Sequence, residues 1–235
     1  MNTPLLKCGG RLLASVLISL LAIGSSPAAD EVPTGTLSVD SNLLRTGSKS
    51  QLAWNITYPA PITSVIDIVP PNVIKPKKDL KMKVRVLGAS FQESILSFLP
   101  VEVMMSKNGG SWSRVFYGLQ SSVLPNLVLK TENVKKGDSI NLGGRGYRDG
   151  WLPLYNTAST TNNLVMLKNG DRVPTTVPAL NGSSIESFLK PYMDTATKKV
   201  KIGDRDLILL MELGQTDTRN SGFDLQDLVV LVTFE

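Results

Sequence analysis

Apolar and polar residues alternate without interruption from Leu80 to Val86, and this period of two restricts the fold more than any other feature. One face of such a segment carries a leucine, a methionine and two valines, and the other carries two lysines and an arginine. One apolar and one charged face are typical of a half-buried strand in an antiparallel sheet. A chain made of such strands buries their apolar faces by packing sheet against sheet.

Ten further segments have the composition or the alternation of strands. Two of them, residues 206–212 and 228–234, are almost entirely apolar, so we expect them at the centre of a sheet that is covered on both faces. Residues 108–110, Asn-Gly-Gly, predict a hairpin turn because Asn and Gly accept positive φ angles. The other candidates are residues 37–39, 51–57, 101–105, 112–117, 127–129, 139–142, 164–167 and 199–202.

One segment predicts a short helix. Ser183 and Glu186 have the spacing of a capping box, in which each side chain accepts a hydrogen bond from the other's free backbone N–H. Residues 187–190 continue the helix and Pro191 ends it. Many closely spaced strands and one short helix indicate an all-β protein, an antiparallel β-sandwich of jelly-roll type.

The first 29 residues have the order of an export signal: Lys7 and Arg11, an apolar run at residues 12–23, then small residues at 24–29. The apolar run is about half as long as a membrane-spanning helix needs to be, so we predict no stable membrane anchor. We therefore expect residues 1–29 to be a signal peptide. The protein would then be exported to the periplasm of a bacterium or to the extracellular space.

Residues 30–235 have the length of a single domain. Within it, residues 35–58 predict a leading strand pair, and the Pro-rich residues 59–76 predict the connection that follows. Because residues 35–58 are too few to bury a core of their own, we expect these first strands to pair with the rest of the domain.

The composition argues against several classes of function. The chain has no histidine, and its one cysteine, Cys8, lies in the expected signal peptide, which excludes Ser-His and Cys-His nucleophiles and His-ligated zinc. Removal of residues 1–29 lowers the net charge from +5 to +3, too little to predict nucleic-acid binding. Two carboxylates could hydrolyse a glycoside, but no spacing singles out a pair among Glu93, Glu102, Glu132, Glu186 and Glu212.

A polar loop between the two apolar runs holds candidate metal ligands. Glu212 opens it, and Asp217, Asp224, Gln226 and Asp227 follow. Ca²⁺ takes six to eight oxygen ligands from carboxylates, amides and carbonyls, and the two loop glycines permit the backbone bends that would turn carbonyls inward. The alternative is an ordinary polar turn, since Asp, Asn, Ser and Gly are common turn residues.

The same segment resembles the terminal signature of an uncharacterised domain family in secreted bacterial surface proteins. That signature has a Glu-Asp-Leu-like turn, a polar loop and then Asp-x-Asn-Asp-Leu/Val-Val leading into a last strand. Glu212-Leu213 and residues 224–230 are similar to its two parts, with Gln226 in place of Asn and no acidic residue after Glu212. The resemblance implies a β-sandwich at a cell surface or in the extracellular space, a Ca²⁺ site at the Asp cluster, and no enzymatic activity.

Residues 143–151, Gly-Gly-Arg-Gly-Tyr-Arg-Asp-Gly-Trp, form a second candidate site. Tyr147 and Trp151 offer aromatic faces on which sugars stack, and Arg145, Arg148 and Asp149 can bond sugar hydroxyls. The alternative is a tight loop at the rim of the sandwich, with Trp151 packed into the core beside the leucines that follow it.

Three functions remain open at this point. The first is a secreted, non-enzymatic β-sandwich that acts in surface binding or assembly, with a glycan or a surface protein as its partner and Ca²⁺ as a stabilising ion. The second is a carbohydrate-binding module. The third is a glycoside hydrolase that uses two carboxylates.

Overall fold

The computed structural model describes residues 33–39, 52–58, 60–94, 97–174 and 187–235. Strands make up 49% of the structure and helices 6%, which confirms the prediction of an all-β antiparallel sandwich. The strands are β1 (Thr34–Val39), β2 (Leu52–Thr57), β3 (Ile66–Val69), β4 (Val73–Pro76), β5 (Leu80–Gly88), β6 (Gln92–Ser94), β7 (Ser97–Phe98), β8 (Val101–Lys107), β9 (Ser113–Gly118), β10 (Lys130–Val134), β11 (Ile140–Gly146), β12 (Tyr155–Asn156), β13 (Leu164–Lys168), β14 (Met193–Asp194), β15 (Lys199–Val200), β16 (Asp206–Met211) and β17 (Leu228–Phe234). Helix α1 (Ile62–Val65) and two 3₁₀ turns, Gln120–Ser122 and Lys190–Tyr192, complete the secondary structure of the described residues.

Two antiparallel sheets form the sandwich. Sheet 1 has the order β10-β5-β17-β16-β13, and sheet 2 has the order β3-β4-β11-β8-β9, with β12 also paired to β11. Three small strand pairs, β1-β2, β6-β7 and β14-β15, stand outside these sheets. The turn between β8 and β9 follows the prediction: Asn108 and Gly109 have φ angles of 55° and 71°, and the Gly110 N–H bonds the Lys107 carbonyl at 2.9 Å.

The main core lies between the two sheets. The alternating apolar residues of β5 point into it, as their period of two predicts, and so do alternate residues of β16 and β17. The matching residues of sheet 2 include Val101 and Val103, both with no exposed surface. Burying one such aliphatic side chain stabilises the fold by about 1.5–3 kcal/mol.

The outer face of sheet 1 is also covered. Ile208, Leu210 and Val229 point away from sheet 2 into a second apolar cluster, which includes Leu189 and Phe223. All seven residues of β17 are buried, and so are the last five of β16. The prediction that these two apolar runs lie at the centre of a sheet covered on both faces is therefore confirmed.

The leading strands differ from the expectation. Strands β1 and β2 pair with each other, and within the described residues neither is hydrogen-bonded to sheet 1 or sheet 2, whereas we expected these first strands to pair with the rest of the domain. Residues 59–76, predicted as a connection, contain α1, β3 and β4. The prolines there permit regular structure because they occupy element ends, where a missing N–H costs little: Pro61 precedes α1, and Pro70 and Pro71 form the β3–β4 turn.

One predicted strand is a turn in the structure, and the predicted helix begins outside the described residues. Residues 127–129 are not a strand: the Leu127 N–H closes a turn on the Leu124 carbonyl, and β10 begins only at Lys130. Ser183 and Glu186, which suggested a helix, lie outside the described residues, as does the expected signal peptide. In the part of the chain that the structure describes, no helix is long and apolar enough to cross a membrane.

Candidate functional site

Three carboxylates from the β16–β17 loop lie together at one end of sheet 1; we call Glu212, Asp224 and Asp227 the acidic triad. Met211 and Leu228 are paired residues of β16 and β17. Glu212 directly follows the first of them, and Asp227 directly precedes the second. The sheet register thus brings the two ends of the loop together, although 14 residues separate them in the chain.

The triad is compact and partly enclosed. One carboxylate oxygen from each residue lies within 4.8 Å of the others. Glu212 is only 2% exposed, and Asp224 and Asp227 are half-buried. Three negative charges at this separation repel one another strongly, and burial limits screening by water. This repulsion favours the uptake of a proton or a cation by the carboxylate oxygens.

Backbone N–H groups hold the carboxylates in place. The Glu212 Oε1 atom accepts hydrogen bonds from the N–H groups of Gly214 and Gln215 at 3.0 and 2.9 Å. Its Oε2 atom accepts one from the Asp224 N–H at 3.2 Å, and Asp227 Oδ2 accepts one from the Leu213 N–H at 2.8 Å. These bonds and the side-chain contact between Glu212 and Asp227 fix the carboxylates relative to one another.

A turn before β17 aims Asp224 toward Glu212. Leu225 adopts a left-handed φ of 57°, an unusual conformation for leucine, and its side chain is buried in the second core cluster. The Gln226 N–H bonds Asp224 Oδ1 at 2.9 Å. Gln226 is itself 1% exposed, and its carbonyl accepts a hydrogen bond from the Ser90 hydroxyl. The buried Leu225 side chain and the hydrogen bond from Ser90 to Gln226 thus hold the turn in place.

The negative charge at the acidic triad is accompanied by two raised pKa values. Burial, and then the neighbouring Glu212 carboxylate, hold the pKa of Asp227 well above its usual range. Burial, followed by the charge of Glu212, also raises the pKa of the Tyr155 hydroxyl. Both shifts have the sign expected where negative charge is concentrated away from water.

Asn163 supports the loop, and sequence reasoning missed it. Its side-chain Nδ2 donates to the backbone carbonyls of Glu212 at 3.1 Å and Gln215 at 2.6 Å. Its backbone carbonyl accepts a hydrogen bond from the Glu212 N–H. Asn163 precedes β13, whose first residue pairs with Met211. Because the two segments are about 50 residues apart in sequence, only the strand pairing could have revealed this contact.

Asp217, the remaining carboxylate proposed from the sequence, has a different environment. Its side chain is 50% exposed and bonds the Arg219 Nε atom at 3.1 Å. Hydrogen bonds from the Arg219 side chain, and then from the Arg219 backbone N–H, lower the pKa of the Asp217 carboxyl. The structure therefore brings Glu212, Asp224 and Asp227 together and leaves Asp217 in a local turn outside the triad.

The second candidate site is a patch of three aromatic rings on the outer side of sheet 2; we call Tyr117, Tyr147 and Trp151 the aromatic surface. The ring centres of Tyr147 and Tyr117 lie 5.3 and 6.0 Å from that of Trp151, in edge-to-face arrangements. All three side chains are exposed, Trp151 by 39%. The alternative that packed Trp151 into the core is wrong; Leu152 packs against the core instead.

A buried carboxylate lies beneath this surface. Glu102 is opposite Arg145 on one side and Tyr117 on the other, and it points away from the core. It is 1% exposed and bonds the Nε atoms of Arg145 at 2.8 Å and Arg114 at 2.5 Å. The two guanidinium groups lie 4.3 Å and 5.2 Å from the ring centres of Trp151 and Tyr117 respectively. These cation–π contacts connect the ion pairs to the rings above them.

Arg148 and Asp149 lie apart from the three rings. Asp149 occupies the exposed tip of the hairpin that joins Tyr147 to Trp151, with a left-handed φ of 54°. The Arg148 guanidinium is 5.2 Å from the ring centre of Phe91, which also packs close to Gly214 in the β16–β17 loop. Of the five residues proposed from residues 143–151, the structure places Arg145, Tyr147 and Trp151 together.

Comparison with protein-family models, curated proteins and solved structures found no match for this chain.

Proposed function

We propose that this protein is an exported, non-enzymatic β-sandwich that acts in binding or assembly at a surface and is stabilised by one Ca²⁺ ion at the acidic triad. The main support for the cation is that one carboxylate oxygen from each residue of the acidic triad lies within 4.8 Å of the others, at the end of sheet 1. Export is supported by the charged, apolar and small-residue order of residues 1–29.

The chemistry of the donors fits a hard cation. Ca²⁺ prefers carboxylate, carbonyl and water oxygens, and its coordination is flexible enough to use a loop. Glu212, Asp224 and Asp227 would each contribute a carboxylate oxygen to the ion. An ion here would join the ends of β16 and β17. This would stabilise an exported domain that has no disulfide to do so.

A catalytic role for the acidic residues has less support. Glu102 is neutralised by two arginines, and the pKa of Glu132 is lowered, chiefly by its hydrogen bond from Lys107. A retaining or inverting glycosidase needs one carboxyl group that is protonated and one that is ionised, both facing a cleft that admits sugar. Glu212 is only 2% exposed and is held by N–H groups of its own loop, so it does not face a cleft that is open to a sugar.

Thermal unfolding with Ca²⁺ and with a chelator tests the cation. Ca²⁺ at 100 times its dissociation constant should add about 2.7 kcal/mol to the free energy of unfolding. For a domain of this size that corresponds to a rise of about 5–10 °C in Tm. A variant with both Asp224→Asn and Asp227→Asn should lose the rise, because it removes the two carboxylates and keeps the side-chain shapes.

Asp217→Asn is the matched control, since it removes an exposed carboxylate outside the triad. It should keep the full response to Ca²⁺. A wild-type protein whose melting does not change with chelator would show that the triad holds a proton instead. A double variant that retains the Ca²⁺ response would place the ion elsewhere.

A further inference from the structure

We propose that the aromatic surface binds an acidic polysaccharide, with the rings of Trp151 and Tyr117 stacked on pyranose faces and Arg114 and Arg145 attracting uronate carboxylates. The inference rests on the proposed binding role and specifies its ligand class.

The three rings of the aromatic surface are all exposed to solvent. Tyr117 is 52% exposed, Tyr147 is 42% exposed and Trp151 is 39% exposed. Large rings grouped in one exposed patch mark interaction sites on soluble domains. Sugars suit such a patch because the C–H groups on one face of a pyranose pack against an aromatic ring while its hydroxyls stay hydrated.

The rings are held in position before any ligand arrives. Arg145 covers one face of the Trp151 indole and is itself fixed by the buried Glu102. Tyr147 and Trp151 face each other across a tight hairpin, and the Tyr147 N–H bonds the Pro100 carbonyl at 2.9 Å. A ligand that stacks on these rings therefore loses little affinity to the ordering of side chains.

The charge beneath the rings favours an anionic sugar. Two guanidinium groups surround one carboxylate, so the group of Arg114, Arg145 and Glu102 carries a net positive charge. Each arginine gives its Nε–H to Glu102, and a guanidinium has further N–H donors on its terminal nitrogens. The Arg114 side chain is 56% exposed, which leaves it accessible to a carboxylate in solution. Charge complementarity of this kind selects uronates over neutral sugars.

Isothermal titration of the purified protein in Ca²⁺ buffer tests the proposal with two kinds of probe. Hexasaccharides of hyaluronan, chondroitin and polygalacturonate carry uronates, and cellohexaose is the neutral comparison. At least one uronate probe should bind about tenfold more tightly than cellohexaose, and added salt should weaken its binding. Failure of all three uronate probes to bind, or equal binding of cellohexaose, would overturn the proposal.

Substitutions place the binding at the aromatic surface. Trp151→Ala and Tyr117→Ala, on different elements, should each weaken uronate binding about tenfold or more. Trp54→Ala and Tyr58→Ala are matched controls, because these rings are 67% and 70% exposed and lie outside the aromatic surface. Arg114→Gln should weaken uronate binding and reduce its salt dependence. Variants at the aromatic surface that bind as the wild type does would overturn the proposal.

The same samples separate this proposal from the cation proposal. Circular dichroism and Tm show whether each variant is folded, and the Ca²⁺-dependent rise in Tm reports on the acidic triad alone. A retained rise without uronate binding would reject the ligand class and leave the cation site standing. Uronate binding without the rise would reject only the cation.

Discussion

The Glu102 carboxylate lies directly opposite Arg145 on the neighbouring strand and accepts a 2.8 Å hydrogen bond from its Nε atom, beneath the indole of Trp151. Glu102 has almost no exposed surface, so its carboxylate is shielded from water on the outer face of sheet 2, whereas the Arg145 side chain is 28% exposed. A charge pair in this position organises the rings above it, and its removal should affect both stability and the aromatic surface.

Replacement of Glu102 by Gln should lower the free energy of unfolding by about 1–3 kcal/mol, since hydrogen bonds to two charged groups are weakened. Urea denaturation measures this loss. Glu132→Gln is the control, because Glu132 also pairs with two cations but is 23% exposed, and its loss should stay below about 1 kcal/mol. Equal losses in the two variants would contradict the role of the buried pair.

Asn163→Ala should destabilise the protein by about 1–3 kcal/mol, because the carbonyls of Glu212 and Gln215 lose their side-chain donor. If the acidic triad binds Ca²⁺, the affinity should also fall by about 10–100-fold, as is typical when a residue that positions ligands is removed. Calcium titration followed by melting measures both effects. Asn169→Ala removes an exposed amide that bonds Asp204, and should change stability by less than about 0.5 kcal/mol.

Gly144→Ala should destabilise the sandwich by about 1–3 kcal/mol through overpacking. A Cβ atom at Gly144 would lie 2.4 Å from a Leu228 methyl carbon and 2.7 Å from the Met211 sulfur, between the two sheets. Gly150→Ala is the matched control, since a Cβ there meets nothing within 4 Å. Similar Tm values for the two alanine variants would show that the sheets separate more easily than this contact implies.

Asp138 should contribute stability that depends on pH. Its hydrogen bonds, first from the Asn108 side chain and then from the Lys135 N–H, lower the pKa of the carboxyl below 3.8. A lowered pKa stabilises the folded state above the unfolded value, and the contribution is lost as pH falls through the folded value. Asp138→Asn should therefore cost under about 1 kcal/mol near neutral pH, and the difference from wild type should shrink as the pH falls below 3.8. A difference that does not change with pH would contradict this assignment.

Strands were the most predictable part of this protein. The alternation from Leu80 to Val86 is a property of adjacent residues, and it correctly predicts both the strand β5 and its core face. The apolar runs that became β16 and β17 also predict their central position, because only a strand covered on both faces needs so few polar residues. Residues 35–58 predict a strand pair, but the position of β1 and β2 outside sheets 1 and 2 was not predictable, since nothing local distinguishes a strand that joins a sheet from one that does not.

The sites were predictable only where their residues are close in sequence. Glu212, Asp224 and Asp227 were proposed from one loop, and the structure brings their carboxylates together. Tyr117 was missed as a part of the aromatic surface, and Glu102 as the carboxylate beneath it, because they lie on β9 and β8 and only strand register brings them to Arg145 and Trp151. The exposure of Trp151 depends on the hairpin geometry at Asp149, which composition does not reveal.

The position of β17 between β5 and β16 has a consequence for how the molecule assembles. Arg85 on β5 and Thr233 on β17 share a hydrogen bond although they are 148 residues apart in the chain. Sheet 1 therefore stays divided until β17 is available to fill its middle. Contacts between such distant residues slow folding, so the chain should reach its native state slowly, on a timescale of about milliseconds to seconds or longer. Because sheet 1 cannot close before β17 is present, the chain stays unfolded until most of its length has been synthesised. An unfolded chain of this kind can still pass through a narrow pore.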